Sequence, residues 1–386
     1  MATSKKKTRA AKASKTAKAR TSKNKKAKPA VKTNKSSPRK KSASGKKSGR
    51  KQSPPKPPAS KDNSTPKAPA VIKHRSKGGK DDRAVVITGI SGNLGRQLAQ
   101  RLHKTEKIIG IDRRPFRGKP KDIEHHRLDL RRNRTEAIFR KGEIKTVFHI
   151  GIMHNPRIKT REHHSWNIMG TSRLLEYARR YEISKVIILS SANVYGPSPN
   201  NDAFLTEEAP LMGSDNFSEI RDLVEMDMLG QSYFWKNPDV DTIILRPVHI
   251  VAPYIKNAPS NYLRLNPAPT VMGFDPMVQL IHAEDVVGAM ALCGAKEGIR
   301  GIYNVAGEGQ APLSAVLKHL GREVVSVPAP VLRSGVELLW KFKLTGFPPP
   351  EIDHIHHVCM VDGSRFIKEV GFTPKYSLRQ ILDELK

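Results

Sequence analysis

Residues 83–96 read RAVVITGISGNLGR, and this stretch decides the fold. Ala84 to Ile87 is a short, mostly β-branched apolar run of the kind buried on both faces of a parallel sheet. Gly89, Gly92 and Gly95 follow at once, three apart, and Leu94, Leu98 and Leu102 then recur at helical spacing on one face. The order is strand, glycine turn, helix. A Cβ in such a turn would hold the backbone away from a pyrophosphate, whose charge is met by free N–H groups and the positive end of a helix dipole. The stretch therefore predicts a dinucleotide-binding turn, with a ligand-free glycine turn as the plainer alternative.

Outward from it, Lys107 to Ile111 is a second apolar run that ends at Asp112, 17 positions after Gly95. A carboxylate there is placed to accept hydrogen bonds from adenosine ribose hydroxyls, which favours NAD. Arg113 and Arg114 follow directly and can instead take a 2′-phosphate, which leaves NADP open, or sit on a solvated loop. Further runs lie at His126–Leu130, Thr146–Ile150 ahead of Gly151, Lys185–Ser190 and Asp241–Leu245, with a helix between Trp166 and Tyr181 marked by Leu174, Leu175 and Ala178. Strands alternating with helices predict an α/β, doubly wound parallel sheet.

The 386 residues carry 69 Lys and Arg against 36 Asp and Glu, and the excess is concentrated at one end. Residues 1–80 hold 28 basic residues and one acidic residue, Asp62, a net +27; the remainder holds 41 and 35, a net +6. Residues 1–81, built from Lys, Arg, Ala, Ser, Thr and Pro with no Phe, Trp or Tyr, have too little apolar surface to offset ordering entropy and are expected to be disordered. The composition resembles the tails of linker histones and bacterial histone-like proteins, and Ser37-Pro38-Arg39-Lys40 resembles their Ser-Pro-basic repeat. Counterion release makes DNA or RNA the expected partner of residues 1–80, without sequence selectivity and with nucleoid or chromatin association. A solubilising tail and an organelle transit peptide are the alternatives.

Cys293 and Cys359 have no paired spacing, so a reducing compartment is expected. No run approaches the roughly 18–20 apolar residues of a membrane span, and no secretory signal core is present. A soluble, cytoplasmic protein with no membrane partner is expected.

Several motifs occur in order: Thr88-Gly89-x-x-Gly92-x-x-Gly95, Asp129-Leu130, Phe148-His149-Ile150-Gly151, Asn167-x-x-Gly170-Thr171, Ser190-Ser191-x-x-Val194-Tyr195-Gly196, Leu245-Arg246-Pro247, His282-x-x-Asp285-Val286 and Tyr303-Asn304-Val305-Ala306-Gly307. Together they resemble the extended short-chain dehydrogenase/reductase family, the NAD-dependent epimerase/dehydratase group. The resemblance implies a Rossmann domain over residues 82–247 and a smaller C-terminal substrate lobe over 248–386, with 282–307 returning to the sheet. It implies a cofactor site drawn from Gly89, Ser91, Gly92, Asn93, Leu94, Gly95, Asp112, Arg113, Asp129, Leu130, Ile150 and Gly151. It also implies a small-molecule substrate such as a nucleotide sugar, and a homodimer through helices around 164–182 and 218–235.

Members of that family use Asn, Ser, Tyr and Lys. Asn167 and Ser191 match the first two. The Tyr-x-x-x-Lys place reads Phe217-Ser218-Glu219-Ile220-Arg221, with Glu225 fixing the register, and phenylalanine has no proton to transfer. Tyr181 and Lys185 have the right spacing but precede the serine strand. Tyr195, Asp215, Glu219 and Asp222 are the other proton carriers to weigh. Ala192 and Asn193 stand where sugar-nucleotide dehydratases carry Asp-Glu, which argues against that reaction. His154, Arg157, Lys159, Arg161, His163 and His164 make the 152–165 stretch a phosphate-receiving loop or a solvated one, and Arg264 is a loose match to a diphosphate-binding position. Asp353, His354, His356 and His357 suggest a metal cluster, but adjacent histidines in a strand face opposite sides, so no metal is expected. Two classes stay open: an oxidoreductase or epimerase with a non-standard proton carrier, and a non-catalytic NAD(P)-binding protein tethered to nucleic acid.

Overall fold

The computed structural model describes residues 82–141, 143–153, 158–213, 218–345 and 347–386. The expectations for the basic segment 1–81 and for His154, Arg157, Asp215 and Phe217 lie outside the described residues. Seven strands form one sheet: β1 (Ala84–Thr88), β2 (Ile108–Ile111), β3 (Glu124–His126), β4 (Ile144–His149), β5 (Lys185–Leu189), β6 (Asp241–Pro247) and, far along the chain, β11 (Gly301–Val305). Their order is β3-β2-β1-β4-β5-β6-β11 and every pairing is parallel. This is the expected doubly wound Rossmann sheet. The chain starts in the middle, winds out to β3 and crosses back to β4, so the direction of winding switches between β1 and β4. Above their C-terminal ends lies the crevice where such sheets take ligands.

The helices are α1 (Asn93–Leu102), α2 (Glu136–Arg140), α3 (Thr160–His164), α4 (Gly170–Arg180), α5 (Ser218–Lys236), α6 (Ala258–Tyr262) and α7 (Ala283–Ala295), followed by shorter ones toward the C-terminus. α1 packs on α7 and α4 on α5. Layers of this kind leave every residue of β1, β2 and β5 buried, which is why those runs, Thr88 and Lys185 at their ends apart, do not alternate apolar with polar.

Three sequence expectations need correction. The third strand is Glu124–His126, not His126–Leu130, because the chain turns after His126: Leu128 N donates to His126 O, Arg131 N to the Asp129 carboxylate and Thr135 Oγ1 to Asp129 O. The fourth strand starts two residues earlier, at Ile144, and stops at His149. The basic stretch expected as a loop is helical from Thr160, and a π-turn over Ser165–Met169 carries α3 into α4. The strand expected at 303–306 is β11, which lies against β6 with Tyr303 opposite Leu245.

Three short two-stranded sheets follow β6: β7 (His249–Val251) with β10 (Leu280–His282), β8 (Ala268–Val271) with β13 (Val324–Val327), and β9 (Met277–Val278) with β12 (Ala311–Pro312). They surround a second apolar core that includes Val251, Tyr262, Leu280, Leu317, Phe347 and Ile381. Val361, Phe366, Val370 and Phe372 return to the core of the main sheet.

Burial sets an acid limit on this fold. His149 and His249 are pushed down to about 4 by desolvation, and His354 to about 3 by desolvation and then by His249. His149 is buried and His249 and His354 are half-buried against each other, and all three stay neutral in the fold, whereas in the unfolded chain they take protons near pH 6.5. Between about pH 6.5 and 4 the unfolded state binds more protons, so this contribution is fully present above 6.5 and is lost as pH falls. Urea midpoints measured from about pH 8 to about pH 5 should hold steady and then drop below about 6.5, by up to about 1.4 kcal/mol per pH unit for each histidine. A flat profile would contradict the burial of neutral imidazoles.

Candidate functional site

The glycine turn lies over the crevice, and its three glycines answer to different constraints. Gly89 has φ +73°, and a Cβ on it would meet Gly151 Cα at 2.6 Å. A Cβ on Gly95 would meet Gly89 O at 2.4 Å and Ile90 Cα at 2.8 Å. These two are required by the protein's own packing. Gly92 has ordinary φ −75°, and its Cβ would meet Gly89 O at 3.2 Å and the Arg114 guanidinium at 3.5 Å. Internal contacts resist a side chain there only mildly, so the space beside Gly92 suits a group approaching from outside. α1 opens at this residue with no side-chain cap and no acidic residue in its first turn, leaving its positive end available to an anion. The turn therefore fits a dinucleotide pyrophosphate.

Around it, Thr88 Oγ1 accepts from Ile150 N at 3.2 Å and Gly151 N at 3.3 Å, so the hydroxyl's own proton goes to His149 Nδ1 at 2.8 Å. His149 then donates from Nε2 to Thr171 Oγ1 at 2.8 Å, which defines its tautomer. A neutral imidazole thus ties the end of β4 to the glycine turn's strand and to α4. The sequence marked His149 only as part of a motif.

Asp112 is buried and already supplied with donors: Ser91 N at 3.1 Å, Arg114 N at 2.8 Å, and the Arg114 side chain at 3.3 and 3.2 Å. A ribose would meet a carboxylate shared with Arg114. Arg113 lies elsewhere, 4.3 Å over the face of Trp166 and 3.9 Å from Glu162. Trp166, which sequence reasoning used only as a helix boundary, donates from Nε1 to Gly151 O at 3.0 Å and also lies under Arg131 at 5.2 Å. Arg131 in turn grips Asp129, next to the buried Leu130. Asn93 reaches across to Tyr254 O at 3.3 Å, and Leu94 packs beside Ile250, Ala252 and Ile255 of the C-terminal part.

At the other end of the crevice, Asn167 is pinned to the backbone of Met153: its Oδ1 accepts from Met153 N at 2.8 Å and its Nδ2 donates to Met153 O at 3.1 Å. Ser191 is half-buried at the end of β5, and its Oγ accepts from Asn193 N at 3.2 Å, leaving the hydroxyl proton to donate. Arg221 is exposed on α5. One residue on, Asp222 is buried between His163, with Nδ1 at 2.5 Å, and His164, with Nδ1 at 3.0 Å. His163 Nδ1 is also 3.3 Å from Asn167 Nδ2, and among the described residues its buried Nε2 has no hydrogen-bond partner.

Tyr195 does not present a phenol to the crevice. Its hydroxyl donates to Asn304 Oδ1 at 2.7 Å and accepts from Arg246 Nη1 at 2.7 Å, and burial pushes it up to about 12. Lys185 is buried with Nζ on the carbonyls of Cys293, Gly294 and Lys296, and Tyr181 bonds Glu136, so that pair is structural. Arg264 spends its guanidinium on the carbonyls of Ile255, Ser260, Ala252 and Pro253, which fixes it as a brace and not an open diphosphate site. Asp353 pairs with Arg333 at 2.6 Å, while His356 stacks on His357 and His354 contacts His249, so these four groups do not converge.

Residues 85–306 match the profile of the NAD dependent epimerase/dehydratase family. The chain belongs to that family. An uncharacterized protein of Mycobacterium tuberculosis, Rv0501, is 25% identical over 316 residues, 78% of this chain and 83% of that one. UDP-glucose 4-epimerase of Bacillus subtilis is 26% identical over 138 residues, 34% of this chain and 37% of that one. Among solved structures, UDP-glucuronic acid 4-epimerase from Bacillus cereus in complex with UDP-glucuronic acid and NAD aligns with a TM-score of 0.60 at 18% identity, over 78% of this chain and 97% of that one. In this member of the epimerase/dehydratase family the matched span runs from β1 to the residue after β11. No helix among the described residues is long and apolar enough to cross a membrane.

Proposed function

We propose that this protein is an NAD-dependent oxidoreductase or epimerase acting on a nucleotide sugar or a related hydroxyl-bearing small molecule, with a non-standard proton carrier. The observation that carries the reading is the turn at Gly92, which internal packing leaves room to fill, next to the close contact of Gly89 with Gly151. The Gly89–Gly95 turn would hold the pyrophosphate, Asp112 with Arg114 the adenosine ribose, and Asp129, Leu130, Ile150 and Gly151 the adenine end. NAD, when bound, supplies a hydride acceptor; Ser191 donates a hydrogen bond to the reacting oxygen. Arg114 on Asp112 makes NADP an admissible second cofactor.

Calorimetry of the intact protein with NAD and NADP, followed by a turnover screen that includes UDP-glucose and UDP-glucuronic acid, tests this. Turnover that disappears in Ser191→Ala supports the reading. Failure of both cofactors to bind at millimolar concentration would leave the glycine turn purely structural. Binding without turnover would favour a non-catalytic NAD-binding protein, a reading supported by the phenylalanine at 217.

The basic segment is proposed to tether the protein to DNA or RNA. Its affinity should fall by orders of magnitude between dilute and physiological salt, and deleting residues 1–80 should remove it without changing cofactor affinity. A salt-insensitive binding curve would rule out phosphate neutralisation. A homodimer through α4 and α5 is also proposed, in keeping with the exposure of Met169, Met228 and Trp235.

A further inference from the structure

We infer that His164, Asp222 and Glu225 form a binding site for a divalent transition metal of the zinc class, with solvent in the remaining coordination place. The site lies beyond the reaction proposed above and takes part in none of its steps.

Asp222 and Glu225 are three residues apart in α5, so their side chains share one face of the helix, a turn apart. α5 packs against α3, whose last residue is His164. His164 Nδ1 lies 3.0 Å from Asp222 Oδ1 and 3.7 Å from Glu225 Oε2, and one donor atom from each of the three falls within 4.8 Å of the others. A tetrahedral zinc with bonds of about 2.1 Å sets its ligand atoms roughly 3.4 Å apart. The observed separations lie on either side of that value, so small side-chain rotations close the set on an ion. Two of the three side chains are free to make them: His164 is 48% exposed and Glu225 46%, against 4% for Asp222. Asp222 Oδ1 is covered by His164 itself, so an ion comes between the two from the solvent side and sends the Nδ1 proton to water.

Charge points the same way. Among the described residues Asp222 pairs with His163 and His164 and Glu225 with His164, and neither carboxylate meets a lysine or an arginine. Arg221, the neighbour in sequence, makes no ion pair with them and is exposed, and Arg113 is spent on Glu162 and Trp166. A buried charge is matched by a counter-charge or coordinates a metal, and here two carboxylates converge with imidazoles alone. The other oxygen of Asp222 is already held from inside the fold, where His163 Nδ1 donates to Oδ2 at 2.5 Å. Ligating carboxylates are oriented by outer hydrogen bonds of this kind, and this one leaves Oδ1 for His164 and an ion. One imidazole nitrogen and two carboxylate oxygens suit a zinc site with three protein ligands and one open place. Magnesium and calcium take six or more oxygens and should bind poorly. A bound ion would clamp the end of α3, and the π-turn that follows it, to α5.

Calorimetry of the full-length protein, stripped with a chelator and dialysed, tests this with zinc chloride alone and no NAD. One zinc per chain should bind with micromolar affinity, magnesium and calcium about 100-fold more weakly. His164→Ala and Glu225→Gln should each weaken zinc by about 10-fold or more. Zinc should raise the wild-type thermal midpoint by a few degrees and leave that of His164→Ala unmoved. Cobalt(II) in place of zinc should give the intense visible bands of four-coordination. Since the chain holds 14 histidines, His357→Ala is the control and should bind as the wild type does. Zinc bound equally by wild type, His164→Ala and Glu225→Gln overturns the inference, as does a site lost only in His357→Ala. So do an affinity weaker than millimolar, magnesium bound as tightly as zinc, and the faint cobalt bands of six-coordination. Should either variant fail to fold, the other variant and the wild-type cobalt spectrum decide. No arm uses NAD or turnover, so failure here leaves the proposed function untouched.

Discussion

Gly92→Leu is expected to abolish NAD binding while leaving the protein folded. The leucine would fill the space above the turn that a pyrophosphate needs, yet its Cβ would press on Gly89 O at 3.2 Å, a contact that a shift of a few tenths of an ångström relieves. No positive φ is at stake. Calorimetry should show no heat with NAD at millimolar concentration, and the thermal midpoint should move by only a few degrees. Gly95→Ala is the contrast. Its Cβ would overlap Gly89 O at 2.4 Å, backbone that cannot yield, so it should cost about 1–3 kcal/mol or more in stability whatever the cofactor does. If Gly92→Leu binds NAD as well as the wild type, the turn is not a pyrophosphate site.

Asp227→Ala should be the most destabilising single change to a side chain in the sheet core. Arg246 is 1% exposed and rests on Asp227 through Nε at 3.0 Å and Nη2 at 2.7 Å, and Ser190 Oγ donates to the same carboxylate at 2.6 Å. The third guanidinium nitrogen reaches Tyr195 and Glu207 O, and Tyr195 continues to Asn304. Removing the carboxylate strands a buried guanidinium, which typically costs about 3–5 kcal/mol, a large part of the roughly 5–15 kcal/mol that holds a domain together. Urea unfolding reads this directly. Asp227→Asn keeps one acceptor and should cost less, and a loss below about 1 kcal/mol for the alanine variant would mean that Arg246 finds water or another partner.

The two networks differ in how far they could be read in advance. The glycine turn is local: strand, glycines and helix lie within 20 consecutive residues, Ala84 to His103, and each conformational demand is met by its neighbours in the chain. The same holds for the apolar runs that became β1, β2, β5 and β6, whose length and β-branching report burial on both faces. The third strand was misplaced because the register of a three-residue edge strand is set by the turn after His126 and not by its own pattern. The basic stretch around His163 read as a loop because charge masked the helix, and the helix survives there because Asp222 receives both histidines.

Local pattern in the chain was enough for the α/β class, the position of the glycine turn and the return of a strand near Tyr303. Only the tertiary structure decided which partner each polar group takes. Asp112 meets Arg114 rather than an open crevice, Asn167 holds Met153, Arg264 braces four carbonyls, and His163 meets Asp222 across 59 residues of chain as Tyr195 meets Asn304 across 109. Periodicity fixes which face of an element is buried, since that depends on neighbours in sequence. Which polar groups meet inside depends on how separate elements pack, because a buried polar atom must find whatever partner the assembled layers bring within about 3 Å of it.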